Sequence, residues 1–479
     1  MRAKIFAQEN RKWWTLGALS FALFMIMLDN TIVNVALPAI QKDLGIGVSE
    51  LEWTVTAYAL TFAVLLLTGG KLGDLYGRRR IFTIGLVVFT LSSLACGLSS
   101  SATELISARA VQGVGSALMM PATLSIITAT FAARERGMAI GIWAGVSAMA
   151  LAIGPLLGGV ITEHISWNWI FFVNVPIGIL GVIVSILVVP ESRDTSKEQR
   201  LDLPGLLSSG IGLLALVYAL IEAHKYGWTS GLILGLFAIA AIAFVAFVLL
   251  EMHQRLPMLD LTLFRNGTFT GANIVAILVT LAMFGIFVFF PIYMQTFRGW
   301  STIQAGAALL PWTLLIVIFA PIAGKLSDRV GSRWLIAGGM TTVALCCLEL
   351  STVTVDSSFW HMLPGFVLGG LGMSFVMTPM SAAVMSAAPV AKAGVASGVL
   401  NTFRQVGVAL GIAIMGAVIT NREAAAARAG ADPPHAFVHG LTFGMRVSAI
   451  ICLAGALAAL ALIRKQQPFE QSEALLEAA

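Results

Sequence analysis

Long apolar runs separated by short polar segments make up most of this chain of 479 residues. Each run is roughly 20 residues long, the length that one α-helix needs to cross the hydrocarbon core of a bilayer. The pattern predicts an all-α integral membrane protein with about fourteen membrane-spanning helices. The predicted spans lie near residues 13–38, 52–72, 81–99, 104–128, 137–162, 169–189, 204–224, 230–250, 269–296, 304–324, 334–352, 359–384, 394–420 and 443–463.

The composition supports this interpretation, since 58% of the residues are hydrophobic and only 11% are charged. A soluble protein carries about 25% charged residues. Lipid is therefore expected to surround most of the chain. The cysteines lie inside predicted spans, where we expect them to pack as small apolar side chains, and neither a disulfide nor a metal or other cofactor is predicted. They are Cys96, Cys346, Cys347 and Cys452.

The positive charges are distributed unevenly between the two sides of the membrane. If the N-terminus lies inside, the cytoplasmic segments hold 21 of the 29 Lys and Arg residues. Such an excess marks the cytoplasmic side and predicts that both termini lie in the cytoplasm. The net charge of +5 is therefore not interpreted as affinity for nucleic acid.

A charged string occurs twice between apolar runs. Residues 70–79 read GKLGDLYGRR, residues 324–333 read GKLSDRVGSR, and six of the ten positions are identical. A repeated loop of this kind predicts a duplicated bundle. The second copy follows the tenth span instead of the eighth, so two helices are expected between two six-helix bundles. The predicted units are an N-terminal bundle at 1–190, a linker with two inserted helices at 191–268, and a C-terminal bundle at 269–479.

The repeated loop has two interpretations. Short cytoplasmic turns are often basic, and Gly and Asp favour turns in any protein. Matched residues at matched places instead favour a conformational latch, in which an Asp pairs with nearby basic groups and locks the two halves together on the inner side. The residues assigned to this latch are Gly70, Asp74, Gly77, Arg78, Asp328 and Arg333.

Two ionisable residues lie inside predicted spans. Asp29 is in the first span, and Arg109 is in the fourth. At a rise of about 1.5 Å per residue, Asp29 lies roughly 13 Å and Arg109 roughly 8 Å from the outer ends of their spans. A charged residue at such a depth is costly without a partner and is a functional candidate. One interpretation is a structural ion pair, and the other is a proton switch, because burial favours the neutral carboxyl and a guanidinium favours the carboxylate.

The fifth span contains the string IGPLLGG at residues 153–159. Gly154, Gly158 and Gly159 would allow another helix to approach closely. Pro155 removes one backbone hydrogen bond and favours a bend. Ordinary close packing of helices accounts for such a string equally well.

These strings resemble known signatures when taken in order. GKLGDLYGRRR resembles the loop signature of the major facilitator superfamily, although Leu75 stands where that family usually has a basic residue. LDNTIVNVALP (28–38) resembles the first-helix signature of its fourteen-span drug:proton antiporter family. ARAVQGVGSA, with Arg109 and Gln112, resembles the fourth-helix signature. IGPLLGG resembles the antiporter signature of exporters, with Ala150 in place of its first Gly.

Further polar, aromatic and sulfur-containing residues are candidates for lining a substrate cavity. Met side chains are adaptable and suit varied lipophilic ligands. Such residues also commonly face lipid or neighbouring helices. The candidates are Asn30, Asn34, Gln112, Phe287, Tyr293, Met377 and Arg404.

The resemblance implies proton-coupled efflux of lipophilic small molecules by alternating access, with Asp29 carrying the proton and Arg109 adjusting it. The expected partners are substrate, proton and lipid bilayer, and the protein would work either with an adaptor protein or as a monomer. The tenth span has no acidic residue, which favours monovalent cations, neutral molecules or weak acids over dications. A same-fold exporter of one metabolite or self-made antibiotic is the main alternative, and a non-transporting membrane receptor is another. An enzyme is not expected, and no phosphate-binding loop indicates ATP-driven export.

Overall fold

The computed structural model describes residues 8–131, 133–193, 202–254, 257, 259, 261–388 and 393–464. Regular structure in these residues is entirely helical. The long helices are α1 Gln8–Leu44, α2 Val48–Tyr76, α3 Arg78–Leu98, α4 Ala102–Thr130, α5 Ala133–His164, α6 Asn174–Val188, α7 Leu203–Tyr226, α8 Gly231–His253, α9 Gly267–Ile292, α10 Leu310–Val330, α11 Ser332–Leu350, α12 Phe359–Ala387, α13 Ala393–Arg428 and α14 Pro433–Leu462.

Short helical segments extend or join several of these helices. They are Trp169–Phe172 before α6, the 3₁₀ segment Leu261–Arg265 before α9, the π-helical turn Tyr293–Phe297 after α9, and Thr302–Ala308 before α10. Within the described residues, 13 helices are long and apolar enough to cross a membrane. The remaining long helix, α5, has 32 residues, which is also sufficient. The predicted fold class is confirmed.

The last outer connection is shorter than the sequence suggests. The long segment 421–440 contains Pro433 and Pro434, a pair that would break a helix if it lay in the helix interior. Instead, α13 continues to Arg428, and both prolines lie in the first turn of α14. Proline is tolerated there because the first backbone N–H groups of a helix have no partner within the helix.

The two copies of the charged string have the same backbone form. Gly77 separates α2 from α3 with φ +108°, and Gly331 separates α10 from α11 with φ +89°. Only glycine adopts such angles without strain. In each copy, one spanning helix ends and the next begins around a single glycine.

Helix packing also repeats along the chain. In the first part, α1 packs on α5, α2 and α3 pack on α4, and α3 packs on α6. The same pairs recur eight helices later, as α9 with α13, α10 and α11 with α12, and α11 with α14. The inserted helices α7 and α8 pack on each other, and α7 also contacts α2 and α13. The division of the chain at 190 and 269 stays a prediction.

Lipid-facing surface is evident on the inserted hairpin. On α8, Ile242 is 69% exposed and Val245 is 59% exposed. A soluble protein rarely exposes such contiguous apolar surface. The exposed face of α8 is therefore suited to acyl chains.

Among the described residues, two side chains form hydrogen bonds between the parts of the chain before and after the inserted helices. Gln295 Nε2 donates to the carbonyl oxygen of Val35 at 2.8 Å. The backbone N–H of Ile303 donates to Glu163 Oε2 at 2.9 Å. All four residues lie towards the side predicted to be external, so the structure is closed on that side.

Glycine allows the close approach of α3 and α4. A Cβ atom on Gly115 would lie 2.6 Å from the backbone nitrogen of Phe89. Because backbone cannot move aside cheaply, we expect Gly115→Ala to destabilise the protein by about 1–3 kcal/mol. The temperature of half-loss of the monodisperse peak in detergent measures this. Gly235→Ala is the matched control, because a Cβ atom there meets no atom within 4 Å; equal losses in both variants would contradict the prediction.

Candidate functional site

Asp29 and Arg109 meet in the interior between α1 and α4. Their side chains are 0% and 1% exposed, respectively. Arg109 Nη1 donates to Asp29 Oδ2 at 2.5 Å. The structure therefore brings together the two ionisable residues that sequence position alone placed at similar depths.

Gln112 completes a three-residue network, defined here as the Asp29 cluster: Asp29, Arg109 and Gln112. Its Nε2 donates to Asp29 Oδ1 at 2.9 Å, and its Oε1 accepts from Arg109 Nη1 at 2.8 Å. Gln112 lies one helical turn after Arg109, so both side chains face α1 from the same side of α4. Both oxygens of Asp29 consequently have hydrogen-bond donors.

The guanidinium of Arg109 is held from its other side by α2. Its Nε donates to the carbonyl oxygen of Thr54 at 3.1 Å. The guanidinium carbon lies 4.3 Å from the centre of the Tyr58 ring, where the negative face of the ring attracts the cation. Tyr58 Oη is in turn 2.8 Å from Ser116 Oγ. Neither Thr54 nor Tyr58 is charged, so nothing in the sequence marks them as partners of Arg109.

The surroundings explain what the Asp29 cluster can do chemically. A buried carboxylate needs a charged partner, and a buried guanidinium needs one as well. Protonation of Asp29 would remove the charge that balances Arg109. The cluster is therefore stable while Asp29 is ionised. When Asp29 is protonated, the charge of Arg109 is unbalanced unless the helices move.

The first charged loop is bound within its own half of the chain. Asp74 Oδ1 accepts from Arg78 Nε at 3.0 Å. The backbone N–H groups of Arg78 and Arg79 donate to the carbonyl oxygen of Ser192 and to Glu191 Oε1, respectively. Glu191 and Ser192, shortly after α6, thus accept the backbone hydrogen bonds of the loop.

The second charged loop is described in part. The backbone of Asp328 lies in α10, but its side chain is outside the described set, so its predicted pairing is not described. The guanidinium of Arg333 lies 5.5 Å from the centre of the Trp334 ring. A latch between halves stays a prediction for both loops. In the first loop, Gly70 would place a Cβ atom 3.4 Å from Pro121, an ordinary contact between α2 and α4.

The glycines of α5 contact two different elements. A Cβ atom on Gly154 would overlap Thr31 Oγ1, and one on Gly158 would lie 2.7 Å from the carbonyl oxygen of Ile32. These two contacts are with α1, directly after Asp29. A Cβ atom on Gly159 would lie 2.7 Å from the carbonyl oxygen of Thr302, which belongs to the other half of the chain.

Pro155 contributes through its backbone, since a Cβ atom on Gly306 would overlap its carbonyl oxygen. Gly306 lies in the short helix Thr302–Ala308. The α5 string therefore lies where α1, α5 and the second half of the chain come together.

Three of the candidate cavity residues contact other parts of the protein, and the substrate cavity itself stays a prediction. Gln112 is fully buried in the Asp29 cluster. Tyr293 is also fully buried, and its hydroxyl donates to the carbonyl oxygen of Thr354 at 2.6 Å. Phe287 packs on Trp312 with ring centres 5.2 Å apart. In this arrangement, the side chains of Gln112, Tyr293 and Phe287 each contact other residues of the protein.

The remaining candidates lie on α1 and on the α12–α13 pair. Asn30 is half-buried and Asn34 is buried, and their amide groups donate to the carbonyl oxygens of Ile26 and Asn30. Arg404 is half-buried and donates to Met377 Sδ. Among the described side chains, no carboxylate lies within ion-pair distance of Arg404.

Two further acidic residues were not recognised as a pair from the sequence. Glu52 on α2 and Glu222 on α7 both lie near the predicted outer side and are 2% and 7% exposed, respectively. Glu222 accepts hydrogen bonds from Ser49 and Trp53, whereas Glu52 accepts none from the described residues. The signal was present as a Glu within an apolar run. Within the described residues, no three potential metal ligands cluster.

Comparison with known proteins identifies the family. A model of the Major Facilitator Superfamily matches residues 19–412. The tetracenomycin C resistance and export protein of Streptomyces glaucescens is 33% identical, over 97% of this chain and 94% of its own length. The puromycin resistance protein of Streptomyces alboniger is 37% identical, over 92% of this chain and 88% of its own. The multidrug transporter protein MdtP of Bacillus subtilis is 34% identical, over 87% of this chain and 77% of its own length.

Solved structures agree on the fold. A bacterial homologue of the human lysosomal transporter Spinster, in an inward-facing and unoccupied conformation, superposes with a TM-score of 0.67 at 16% identity, over 96% of this chain and 99% of its own. An auto-inhibited peptide transporter of the POT family superposes with a TM-score of 0.69 at 14% identity, over 96% of this chain and 97% of its own. The match to the family model and the relatives at 33% identity or more establish that the chain belongs to the major facilitator superfamily.

Proposed function

We propose that this protein exports lipophilic small molecules from the cytoplasm of a bacterium in exchange for protons. It would lie in the cytoplasmic membrane with both termini inside, because the basic residues are concentrated in the segments on that side. Its two six-helix halves would expose a central substrate site alternately to each side. It would act as a transporter, without catalysis, as a monomer or with an adaptor protein.

The Asp29 cluster carries this proposal. A carboxylate that is 0% exposed in a membrane-spanning helix is costly, and its pairing with Arg109 is the means of keeping it there. An exporter needs a group that binds a proton on one side and releases it on the other. Asp29 meets that need, because helix movement would change its distance from Arg109.

The proposed cycle couples the proton to helix movement. With Asp29 ionised, the Arg109 and Gln112 hydrogen bonds keep α1 against α4. A proton arriving from outside neutralises Asp29 and weakens those bonds, so α1 moves relative to α4. Because Gly154 and Gly158 pack directly on the next turn of α1, this movement is transmitted to α5 and to the contact with the other half.

The driving force is sufficient for useful export. One charge crossing a membrane potential of 100 mV yields about 2.3 kcal/mol. Since 1.36 kcal/mol corresponds to a factor of ten, one proton supports a substrate gradient of about fifty-fold. A pH difference adds about a further factor of ten per unit.

The charged loops would act as latches in the opposite state of the cycle. The first loop is held by Arg78 and Glu191 within its own half while the outer side is closed. We expect Asp74 and Asp328, with Arg333, to connect the halves when the inner side closes. This role agrees with the matched form of the two loops.

The substrate class is expected to exclude dications. Arg404 is a half-buried cation without a described carboxylate partner, and α10 has no acidic residue in its outer two-thirds. A cation in a transport path repels dications and attracts weak acids. Neutral lipophiles and weak acids therefore fit best.

A second candidate function is export of one metabolite or self-made antibiotic. The relatives favour it, since two from Streptomyces are named for resistance to a single antibiotic. The two functions share the fold and the proton chemistry. A transport screen across chemically unrelated compounds separates them, because a dedicated exporter moves one compound class and a multidrug exporter moves several.

Replacement of Asp29 tests the proton role. In sealed everted vesicles with an imposed pH gradient, we expect Asp29→Asn to abolish gradient-driven uptake of substrate, because the amide cannot carry a proton. Exchange of labelled for unlabelled substrate without a gradient should persist. Asp43→Asn is the matched control on α1, since its side chain bonds Trp167 and lies outside the cluster. Full gradient-driven uptake by Asp29→Asn would refute the proposal.

Gly159→Val tests alternating access. Its side chain would collide with Thr302 and Ile303 of the other half, so we expect the outer-closed state to lose about 1–3 kcal/mol. Spin labels on Lys42→Cys and Ala424→Cys, in a variant lacking native cysteines, report the separation by double electron–electron resonance. The long-distance population should rise. Gly145→Val is the control, because nothing lies within 4 Å of a Cβ atom there; the same rise in this control would contradict the interpretation.

Arg404→Gln tests the substrate class. We expect efflux of anionic dyes to fall about fivefold, while efflux of neutral dyes changes by less than about twofold, because a single ion pair contributes about 1 kcal/mol. Dye efflux from cells with and without a protonophore provides the measurement. Arg422→Gln is the control, since Arg422 stacks on Phe443 near the predicted outer side. Efficient efflux of dications by the unaltered protein would overturn the assignment.

A further inference from the structure

Glu52 is a buried carboxyl without a hydrogen-bond partner. It lies in the second turn of α2 and is 2% exposed. Neither of its carboxyl oxygens has a hydrogen-bond partner among the described residues. Unpartnered buried carboxyl groups are rare, because burial removes the water that would otherwise bond them.

The carboxyl group of Glu52 lies between the two halves of the protein. A Cβ atom on Gly416 of α13 would overlap Glu52 Oε1 and lie 2.8 Å from Oε2. The absence of a side chain at Gly416 therefore provides the space that the carboxyl occupies. Because α2 belongs to the first half and α13 to the second, Glu52 is buried only while the halves are together at this point.

The inserted helix α7 places a second carboxylate beside Glu52. Glu222 Oε1 accepts from Ser49 Oγ at 2.6 Å and from Trp53 Nε1 at 3.2 Å. These two donors flank Glu52 on α2, and both serve Glu222. The Glu222 carboxyl group therefore lies beside the turn of α2 that carries Glu52. An ionised Glu52 would be buried without a donor, because both of these donors are occupied by Glu222.

Several charged groups on the helices that pack against α2 have partners other than Glu52, and Lys42, Lys225, Glu423 and Arg428 lie in the outer turns of the same helices. Arg109 and Asp29 bond each other, Glu104 accepts from Ser100, Asp43 accepts from Trp167, and Arg422 stacks on Phe443. Glu50, on α2 itself, accepts from the backbone N–H of Gly47. No described cation is paired with Glu52.

We propose that Glu52 is a second proton-binding site, which binds a proton when the outer ends of α2 and α13 come together and releases it when they separate. Burial of a neutral carboxylic acid costs much less than burial of an unpaired carboxylate. In the closed arrangement the group is therefore held as the acid. Separation of the helices admits water, which stabilises the carboxylate.

The position of Glu52 determines where this proton comes from. Glu52 lies about 6 Å from the outer end of α2, and Glu222 lies about 6 Å from the outer end of α7. The proton is therefore exchanged with the outside medium and is distinct from the one carried by Asp29. Acid outside favours the closed outer side, and alkali favours the open one. This inference rests on the alternating-access part of the proposed function.

The test measures opening directly, without transport. The Lys42→Cys and Ala424→Cys label pair, in nanodiscs from pH 5 to pH 9, reports the ratio of closed to open outer ends. One proton bound on closure changes that ratio by up to about tenfold per pH unit. We expect the short-distance population to fall as pH rises. In Glu52→Gln and Glu52→Met, which are neutral at every pH, it should stay high throughout.

Two comparisons make the outcome decisive. Glu50→Gln, the same charge change two residues away, should keep the pH response of the unaltered protein. Glu423→Gln, which removes an acidic group from the outer turns of α13, should keep it as well, because the response belongs to Glu52. A ratio independent of pH in the unaltered protein, an undiminished response in both Glu52 variants, or loss of the response in Glu423→Gln would each overturn the proposal. Since no substrate or gradient is used, failure of proton-coupled export leaves this result unaffected, and the reverse also holds.

Discussion

Asp29 and Arg109 neutralise each other where neither could remain alone, and the arrangement of the first half of the chain follows from that pair. Two charges can stay inside a membrane protein only when each has a partner and the remaining donors are bonded. Gln112, the carbonyl oxygen of Thr54 and the Tyr58 ring meet those needs from α4 and α2. Three helices are thereby fixed around one charge pair, and a single proton is enough to unbalance it.

Close helix contacts transmit a change at the Asp29–Arg109 pair to neighbouring helices. The α5 glycines bring backbone against α1 on one side and against Thr302 of the second half on the other. Contacts of this kind have no flexible side chain to absorb a shift, so movement of α1 displaces its neighbours. The Asp29 cluster and the junction between halves are therefore mechanically connected, although no hydrogen bond among the described residues joins them.

At the outer side, the neighbours of Glu52 also determine which protonation state of a buried carboxyl group is favoured. Asp29 is buried with a cation, whereas Glu52 is buried against a glycine and beside Glu222. The first arrangement stabilises a carboxylate, and the second stabilises a carboxylic acid. Two acidic residues in one protein thus respond to different parts of the proposed cycle, and the difference comes entirely from their neighbours.

The sequence by itself determined the helices, the repeat and the ionisable candidates. Apolar runs of spanning length can only be helices in lipid, because each backbone group must bond within its own segment. The depths of Asp29 and Arg109 followed from helical rise alone. The start of α14 could not be predicted from the sequence, since Pro433 and Pro434 can either break a helix or begin one. Tertiary structure alone decided that Glu191 holds the first loop, that Gln112 joins the Asp29 cluster and that Glu52 lacks a partner. Partners come from helices far apart in sequence, and their spacing carries no signal of which side chains will meet.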